Sequence, residues 1–180
     1  MDYPFRMEAP VRTCTKKYAD YHLYKPYLAE DFHHKCGYTD CSEMWFGGKR
    51  TFQIDHLRPE SKYPELRDEY RNLVYCCSYV NRAKWDDDSP NYLDPCEVDY
   101  NDHLSRDANG YIVPKTLQGK YMVEHMQLGL FRYAIIWNLD RLTDRIKKLQ
   151  EITPTSEAKE LLGELCIEYF KYTQYLAADQ

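Results

Sequence analysis

The chain has 180 residues, a length that suits one domain or a small catalytic core with an appended helical part. Because 43% of the residues are apolar and 15% are aromatic, the chain can bury a core, which excludes a disordered protein. The net charge of −5 is unusual for an enzyme that acts on nucleic acid, and the sequence lacks the run of about 18 apolar residues that a membrane span needs.

Three elements are predicted in the first third of the chain. Residues 1–24 hold two prolines and scattered charges, so we interpret them as an arm that lies on the protein surface or on a partner. Residues 27–32 predict a short helix, because a proline just before them fits its first turn. Residues 43–46 and 51–54 flank Gly47-Gly48, which can take the positive φ of a tight turn, and they therefore predict a β-hairpin.

A small hairpin and two helices are predicted in the second half. The turn sequence Asp107-Ala108-Asn109-Gly110 joins residues 103–106 to residues 111–113. Apolar residues then recur at spacings of three and four along two stretches, as they do on one face of a helix. The first stripe consists of Leu128, Phe131, Ile135, Leu139, Leu142, Ile146 and Leu149, and the second of Leu161, Leu165, Tyr169, Thr173 and Leu176. Thr153-Pro154 separates the two stretches, so we expect an antiparallel helix pair.

An acid and an imidazole, Asp55 and His56, stand side by side at the end of a short predicted strand. Alternation along a strand directs their side chains to opposite faces. One side chain can therefore hold a ligand while the other approaches the reacting group from a different direction. A neutral imidazole can take the proton of a water molecule and so make that water nucleophilic. Asn72 and Asn81 follow 16 and 25 residues after His56. Carboxylate and amide oxygens together suit Mg²⁺ or Mn²⁺ better than zinc.

These four residues, in this order and at these spacings, resemble the motif of the HNH endonucleases. The resemblance implies a ββα-metal core, in which a β-hairpin, a loop and one helix surround a single metal ion. It implies that His56 is the general base and that Asn72 fixes the loop. Asp55 and Asn81 would then be the metal ligands. Taken singly, each of the four has a structural alternative as an ion pair, a turn residue or a helix cap.

Further stretches resemble one HNH subgroup, the PtuB-like nucleases of Septu and of certain retrons. These stretches are residues 58–64, 93–96, 102–104 and 110–114. The subgroup acts in bacterial anti-phage defence together with an ABC-type ATPase, so the resemblance implies a PtuA-like ATPase partner that restrains or directs cutting. The substrate would be DNA or RNA.

The resemblance also implies an α+β fold for the chain. A nuclease core is expected at residues 25–90. An acidic linker, a small hairpin and a mainly helical extension are expected at residues 91–180. The helix pair of this extension packs on itself and on the core, or else part of it docks the ATPase partner.

Positive charge is concentrated on the expected nuclease core. Residues 49–84 hold eight Lys and Arg against five acids, whereas residues 86–107 hold eight acids and one Arg. Four cations near the motif, Arg58, Lys62, Arg82 and Lys84, are candidates for contact with the substrate phosphate. For Arg58 and Lys62 the alternative is a solvated charge. Arg82 and Lys84 are expected to be exposed on the predicted helix. Because the chain as a whole is acidic, we expect a partner to help deliver the substrate.

The seven cysteines are interpreted as reduced thiols of a cytoplasmic protein, because the start of the chain lacks the apolar segment of a signal peptide. Many HNH proteins brace the core with a zinc ion held by two Cys-x-x-Cys pairs. Here Thr39 and Val80 stand where two of those cysteines belong. The possible zinc ligands are Cys36, Cys41, Cys76 and Cys77. We expect buried thiols here instead of structural zinc.

Two alternatives to an active nuclease stay open at this point. One is an HNH fold that no longer cuts and serves as a nucleic-acid-binding or scaffolding subunit. The other is a zinc-stabilised adaptor in which the cysteines matter more than His56.

Overall fold

A computed structural model describes residues 2–151 and 155–178 of the chain, and its architecture is mixed α+β. The strands are β1 Tyr3–Pro4, β2 Phe52–His56, β3 Leu73–Cys77, β4 Leu104–Arg106 and β5 Ile112–Pro114. The helices are α1 Lys25–Asp31, α2 Ser78–Lys84, α3 Tyr100–His103, α4 Leu117–His125, α5 Phe131–Gln150 and α6 Ser156–Ala178. Short 3₁₀ helices span Tyr21–Tyr24, Glu43–Phe46, Pro64–Leu66 and Tyr70–Asn72.

The strands β2 and β3 form an antiparallel hairpin, in which Phe52 lies opposite Cys77 and His56 opposite Leu73. A long loop, residues 57–72, joins them, and α2 follows β3 directly. Every residue of β3 is buried, because this strand is an apolar and thiol-rich run that packs beneath α1. The unit formed by β2, the loop, β3 and α2 is called the hairpin–helix unit below.

The hairpin predicted around Gly47-Gly48 is wrong. Residues Glu43–Phe46 form a 3₁₀ helix, whose first turn is capped by the Ser42 side chain accepting a hydrogen bond from the Met44 N–H. Gly47, with φ of 94°, ends this helix instead of turning a hairpin. The strand that follows pairs with β3, which offers it a fully buried apolar partner.

The predicted small hairpin is confirmed as β4 and β5, with Gly110 at φ of 92° in the connecting turn. Strand β1 adds to it, and the order in this sheet is β1-β4-β5. The fully buried Arg106 donates hydrogen bonds to the carbonyls of Gly110 and Thr39, which ties the sheet to the segment ahead of β2.

The N-terminal arm lies along the rest of the chain. Phe5 is completely buried, and Arg12 forms an ion pair of 2.8 Å with Asp94. Both the backbone N–H and the hydroxyl of Thr13 donate to the Asp31 carboxylate, which lies at the end of α1. These contacts make the arm a structural part of the fold.

The helix predicted at residues 27–32 and the two C-terminal helices are confirmed as α1, α5 and α6. The start of α5 meets the end of α6, since the rings of Phe131 and Tyr175 lie 6.3 Å apart, so the pair is antiparallel as expected. The predicted boundary at Thr153-Pro154 lies outside the described residues. None of the helices in the described part of the chain has the length and apolar character that crossing a membrane requires.

Candidate active site

A cavity of about 410 Å³ opens beside the hairpin–helix unit. Its walls include Asp55 and His56 from the end of β2 and Asn81 from the middle of α2. The structure therefore brings three of the four motif residues to one cavity, and Asn72 lies in the loop behind it. The remaining walls consist of Tyr21, Gln53, Ile54, Pro59, Glu60, Ser61, Arg82, Trp85 and Asp86.

Asp55 is a buried carboxylate with two hydrogen-bond donors. The Tyr38 hydroxyl donates to one oxygen at 2.6 Å, and the Lys84 ammonium donates to the other at 3.2 Å. Burial raises the pKa of the Asp55 carboxyl, and the charge of Lys84 and the Tyr38 hydrogen bond only partly oppose this shift. A carboxylate can accept at about four lone-pair positions, so two of these positions are left for a further partner.

Lys84 was predicted to be an exposed residue that contacts phosphate, and the prediction of exposure is wrong. The residue is only 1% exposed, and its ammonium donates to the His56 carbonyl at 2.7 Å as well as to Asp55. It also lies 5.5 Å from the centre of the Tyr92 ring. The reason is its place on the inner face of α2, four residues after the buried Val80, so its charge is satisfied inside the protein.

The His56 ring is fixed by its surroundings. Its Nε2 lies 2.9 Å from the Arg67 carbonyl oxygen, and its ring packs edge-on against Tyr21 at 4.7 Å between centres. Because a carbonyl can only accept, Nε2 carries the proton in this contact. In the neutral ring the basic nitrogen is then Nδ1, which is the atom able to take a proton from a bound water.

Asn72 bonds to backbone groups of the long loop. Its oxygen accepts from the Arg58 N–H at 2.8 Å, and its NH₂ group donates to the carbonyls of Arg58 and Leu66. The side chain thus joins the beginning of the loop, its middle and its end. The Arg67 carbonyl, which accepts the hydrogen bond from His56, belongs to the same loop. By stabilising this loop, Asn72 indirectly stabilises the position of the imidazole.

Asn81 is one of the residues that line the cavity. The NH₂ group donates to the Gln53 side chain at 2.8 Å, which directs the amide and leaves its oxygen to act as an acceptor or a ligand. Gln53 comes from β2, so this contact joins the helix to the strand that carries Asp55.

The three other predicted phosphate contacts differ in position. Arg82 is exposed and borders the cavity. Arg58 and Lys62 instead reach Asp88, with Arg58 donating to its carbonyl and Lys62 forming a 2.9 Å ion pair with its carboxylate. Of the three, Arg82 is therefore the cation that the structure brings to the cavity.

The four cysteines considered for zinc, Cys36, Cys41, Cys76 and Cys77, are all buried free thiols. Burial raises the pKa of the Cys36 thiol, but hydrogen bonds from Cys77 and Thr39 outweigh it and bring this pKa to about 7. Cys41 points elsewhere, toward the carbonyls of Thr39 and Tyr133, and burial raises its pKa to about 12. Across residues 2–151 and 155–178, no group of three or more His, Cys, Asp or Glu side chains is arranged to hold a metal ion.

The expected magnesium site differs from such a group, because one of its two ligands is an asparagine. Three residues of the cavity wall, Asp55, Asn81 and His56, could supply a carboxylate, an amide oxygen and an imidazole. This is an oxygen-rich set of the kind that Mg²⁺ and Mn²⁺ prefer. The buried carboxylate with free lone pairs fits such an ion, although the ion would share Asp55 with the ammonium of Lys84.

Sequence reasoning missed several residues of the site. Tyr38 supports Asp55 from 17 positions earlier in the chain, and Tyr21 supports His56 from a 3₁₀ helix in the arm. Neither contact has a local sequence signal. The burial of Lys84 did have one, because Val80 and Lys84 are spaced four apart and therefore share a face of the helix.

Comparisons with protein-family models, with curated proteins and with solved structures each find no match to this chain.

Proposed function

We propose that this protein is a metal-dependent endonuclease of the HNH type, which hydrolyses phosphodiester bonds in DNA or RNA. The observation that carries the proposal is the meeting of Asp55, His56 and Asn81 at one cavity, with the His56 ring fixed through Nε2. The hairpin–helix unit would be the ββα-metal core, now with β2 and β3 as its two strands.

His56 would act as the general base. The Arg67 carbonyl holds the Nε2 proton, so Nδ1 accepts a proton from a water that attacks the phosphorus. Arg82 at the cavity wall would contact the phosphate through its guanidinium, which matches phosphate oxygens in geometry and charge.

Asp55 and Asn81 would hold a Mg²⁺ or Mn²⁺ ion through oxygen atoms, and when bound the ion supplies compensation for the charge that develops on the phosphate and the leaving oxygen. Tyr38 and Lys84 have a supporting role, since they fix both oxygens of Asp55 before any ion binds. Pre-organised ligands bind without a further ordering cost.

The resemblance seen in the sequence extends this proposal to anti-phage defence in the cytoplasm, with a PtuA-like ABC-type ATPase as the partner. The outer face of α6 supports a partner of some kind, because Ile167 and Phe170 are 72% and 63% exposed there.

The test is cleavage of plasmid DNA and of tRNA in Mg²⁺ or Mn²⁺ by the wild-type protein and by His56→Ala. Loss of a general base is expected to lower the rate by about 10²- to 10⁴-fold. His125→Ala is a matched control, because that ring stacks on Tyr121 away from the cavity lining and should leave the rate unchanged. Equal cleavage by purified His56→Ala and wild type would remove His56 from this role.

One observation favours a second candidate, a nucleic-acid-binding subunit that does not cut. The ammonium of Lys84 already lies 3.2 Å from Asp55, so the site carboxylate has a permanent cationic partner. Titration calorimetry with Mn²⁺ separates the two candidates. Binding that is lost in Asp55→Ala supports the nuclease, whereas absence of Mn²⁺ binding together with absence of cleavage supports the subunit that does not cut.

A further inference from the structure

Trp85 is held in an exposed position at the edge of the cavity. It is the residue directly after α2, and 74% of it is exposed to solvent. Its backbone has φ of 51° and ψ of −126°, and such a positive φ is rare for residues with large side chains. The Trp85 N–H nevertheless donates to the Asn81 carbonyl at 3.0 Å, so the helix end holds the residue in this conformation.

Trp85 lines the same cavity as the proposed general base, His56. Trp85 lines it together with Arg82 and Asn81, and the half-buried Tyr21 adds a second aromatic ring. The Tyr21 ring packs on the imidazoles of His22 and His56, with 4.0 Å and 4.7 Å between ring centres, so its position is fixed. An indole in water beside a rigid ring, a guanidinium and an amide is suited to a flat, partly polar ligand.

The residues that line the cavity offer few positive charges to a double helix. Among the described residues that line it, Arg82 is the one Lys or Arg, and Glu60 and Asp86 contribute carboxylates. Arg58 and Lys62 are directed to Asp88. A duplex carries one negative charge per about 1.7 Å of its axis and needs an extended cationic surface to bind. A single strand can instead bind by stacking its bases on aromatic side chains, with fewer cations.

We propose that Trp85 is a nucleobase-stacking subsite, and that the substrate enters the cavity as an unpaired strand of DNA or RNA. The base next to the scissile phosphate stacks on the indole, while Arg82 contacts the phosphate. This inference rests on the proposed nuclease function and specifies the form of its substrate. Stacking tolerates any base, so the subsite selects unpaired nucleotides and not a sequence.

The experiment measures binding without catalysis, in EDTA, by fluorescence anisotropy of labelled 12-nucleotide probes. The probes are a single-stranded DNA of mixed sequence, the RNA of the same sequence and the corresponding DNA duplex. Wild type should bind at least one single strand more tightly than the duplex. Trp85→Ala should weaken that binding by about 5- to 150-fold, which corresponds to the roughly 1–3 kcal/mol that stacking of one base contributes.

Two variants serve as controls. Trp85→Phe keeps a ring and should retain most of the affinity. Phe170→Ala removes another exposed aromatic side chain, on α6 and outside the cavity lining, and should bind like wild type. Tryptophan fluorescence gives a second readout, because a stacked base quenches an indole. The chain has three tryptophans, so the difference between wild type and Trp85→Phe isolates the contribution of Trp85. The single strand should quench wild type, and this quenching should be absent in Trp85→Phe.

Three results would each contradict the stacking subsite. They are tighter binding of the duplex than of both single strands, equal binding by Trp85→Ala and wild type, and no binding of either single strand. Equal melting temperatures of the variants would show that the fold is kept. The outcomes also distinguish this inference from the nuclease proposal. Cleavage by wild type with no effect of Trp85→Ala removes the subsite alone, whereas stacking without cleavage in Mg²⁺ or Mn²⁺ removes the nuclease alone.

Discussion

The hairpin–helix unit and helix α6 differ in which kind of side chain they bury and which they expose to solvent. The unit buries charged and polar groups, with Asp55, Asn72 and Lys84 each less than 7% exposed and each hydrogen-bonded. Helix α6 leaves apolar groups in water, and Leu165 is its one buried residue within the described part of the chain. Geometry in the unit is set by directional bonds, whereas the attachment of α6 depends on non-directional apolar contact.

This difference predicts where the protein tolerates substitution. A buried polar network loses stability sharply when one member is removed, because the partner is left unsatisfied. An exposed apolar face loses little, because its side chains are already in contact with water. Four experiments test or refine the comparison, in order of decreasing expected effect.

The largest effect is expected for Lys84→Met, which removes the charge and keeps the length of the side chain. Breaking a buried ion pair costs about 3–5 kcal/mol, because Asp55 is left as an unpaired buried charge. Urea unfolding at pH 7 measures the loss. Adding Asp55→Asn should recover part of it, and Lys171→Met on the exposed surface of α6 should have no measurable effect. Equal stability of Lys84→Met and Lys171→Met would contradict the structural role of the pair.

Leu165→Ala tests the attachment of α6. This residue is 3% exposed, so its truncation should lower the free energy of unfolding by about 2–3 kcal/mol. The matched change two residues later, Ile167→Ala, should stay within about 0.5 kcal/mol, because that side chain is 72% exposed. Thermal unfolding followed by circular dichroism measures both. A large loss for Ile167→Ala would mean that the outer face is covered in solution.

Asn72→Ala should cost about 1–3 kcal/mol, because it leaves loop backbone groups without their partner. Limited proteolysis should also cut residues 57–72 faster in this variant, since the loop loses its central contact. Asn109→Ala, at an exposed hairpin turn, is the control. Unchanged proteolysis of Asn72→Ala would show that other contacts hold the loop.

The smallest effect is expected for Asp87→Asn. The hydroxyls of Tyr121 and Tyr92 donate to this carboxylate, and these hydrogen bonds lower the pKa of Asp87. A lowered pKa in the folded state stabilises the protein above the unfolded-state pKa of about 3.9, and the contribution is lost as the pH falls through the folded value. The variant should therefore be less stable than wild type by at most about 1 kcal/mol at pH 7.

The same difference should disappear at the acid end of a pH series of urea unfolding curves. Asp102→Asn, at an exposed position, should follow wild type at every pH. A difference for Asp87→Asn that persists in acid would assign its effect to packing and not to charge.

The sequence allowed prediction of elements whose signals are local. Each of these signals can be recognised within a short stretch or a single motif. They are the turn ending in Gly110, the apolar stripes of α5 and α6, and the spacing of Asp55, His56 and Asn81. The hairpin–helix unit shows where such reasoning stops. Strand β2 pairs with β3 across a 16-residue loop. The sequence Gly47-Gly48 predicted a hairpin turn closer to β2, but in the structure Gly47 ends a 3₁₀ helix.

Burial was the second property that the prediction missed, even though the spacing of Lys84 from Val80 indicated it. Lysine is normally a surface residue, so Lys84 was expected in solvent, yet its ammonium donates to a carboxylate and a carbonyl beneath α2. The contacts of Tyr38 and Tyr21 depend on where distant segments pack, and this information is absent from any single stretch of residues.

The pairing of β1 with β4 has a consequence for synthesis, because it places Tyr3 opposite Arg106. A ribosome extends a chain by about 5–20 residues per second, so the first strand waits roughly 5–20 s for its partner to be made. The two strands and the helix around the cavity are complete by residue 84 and can associate earlier. The amino-terminal segment, with its buried Phe5, is therefore exposed in the nascent chain for longer than the segment that carries the chemistry.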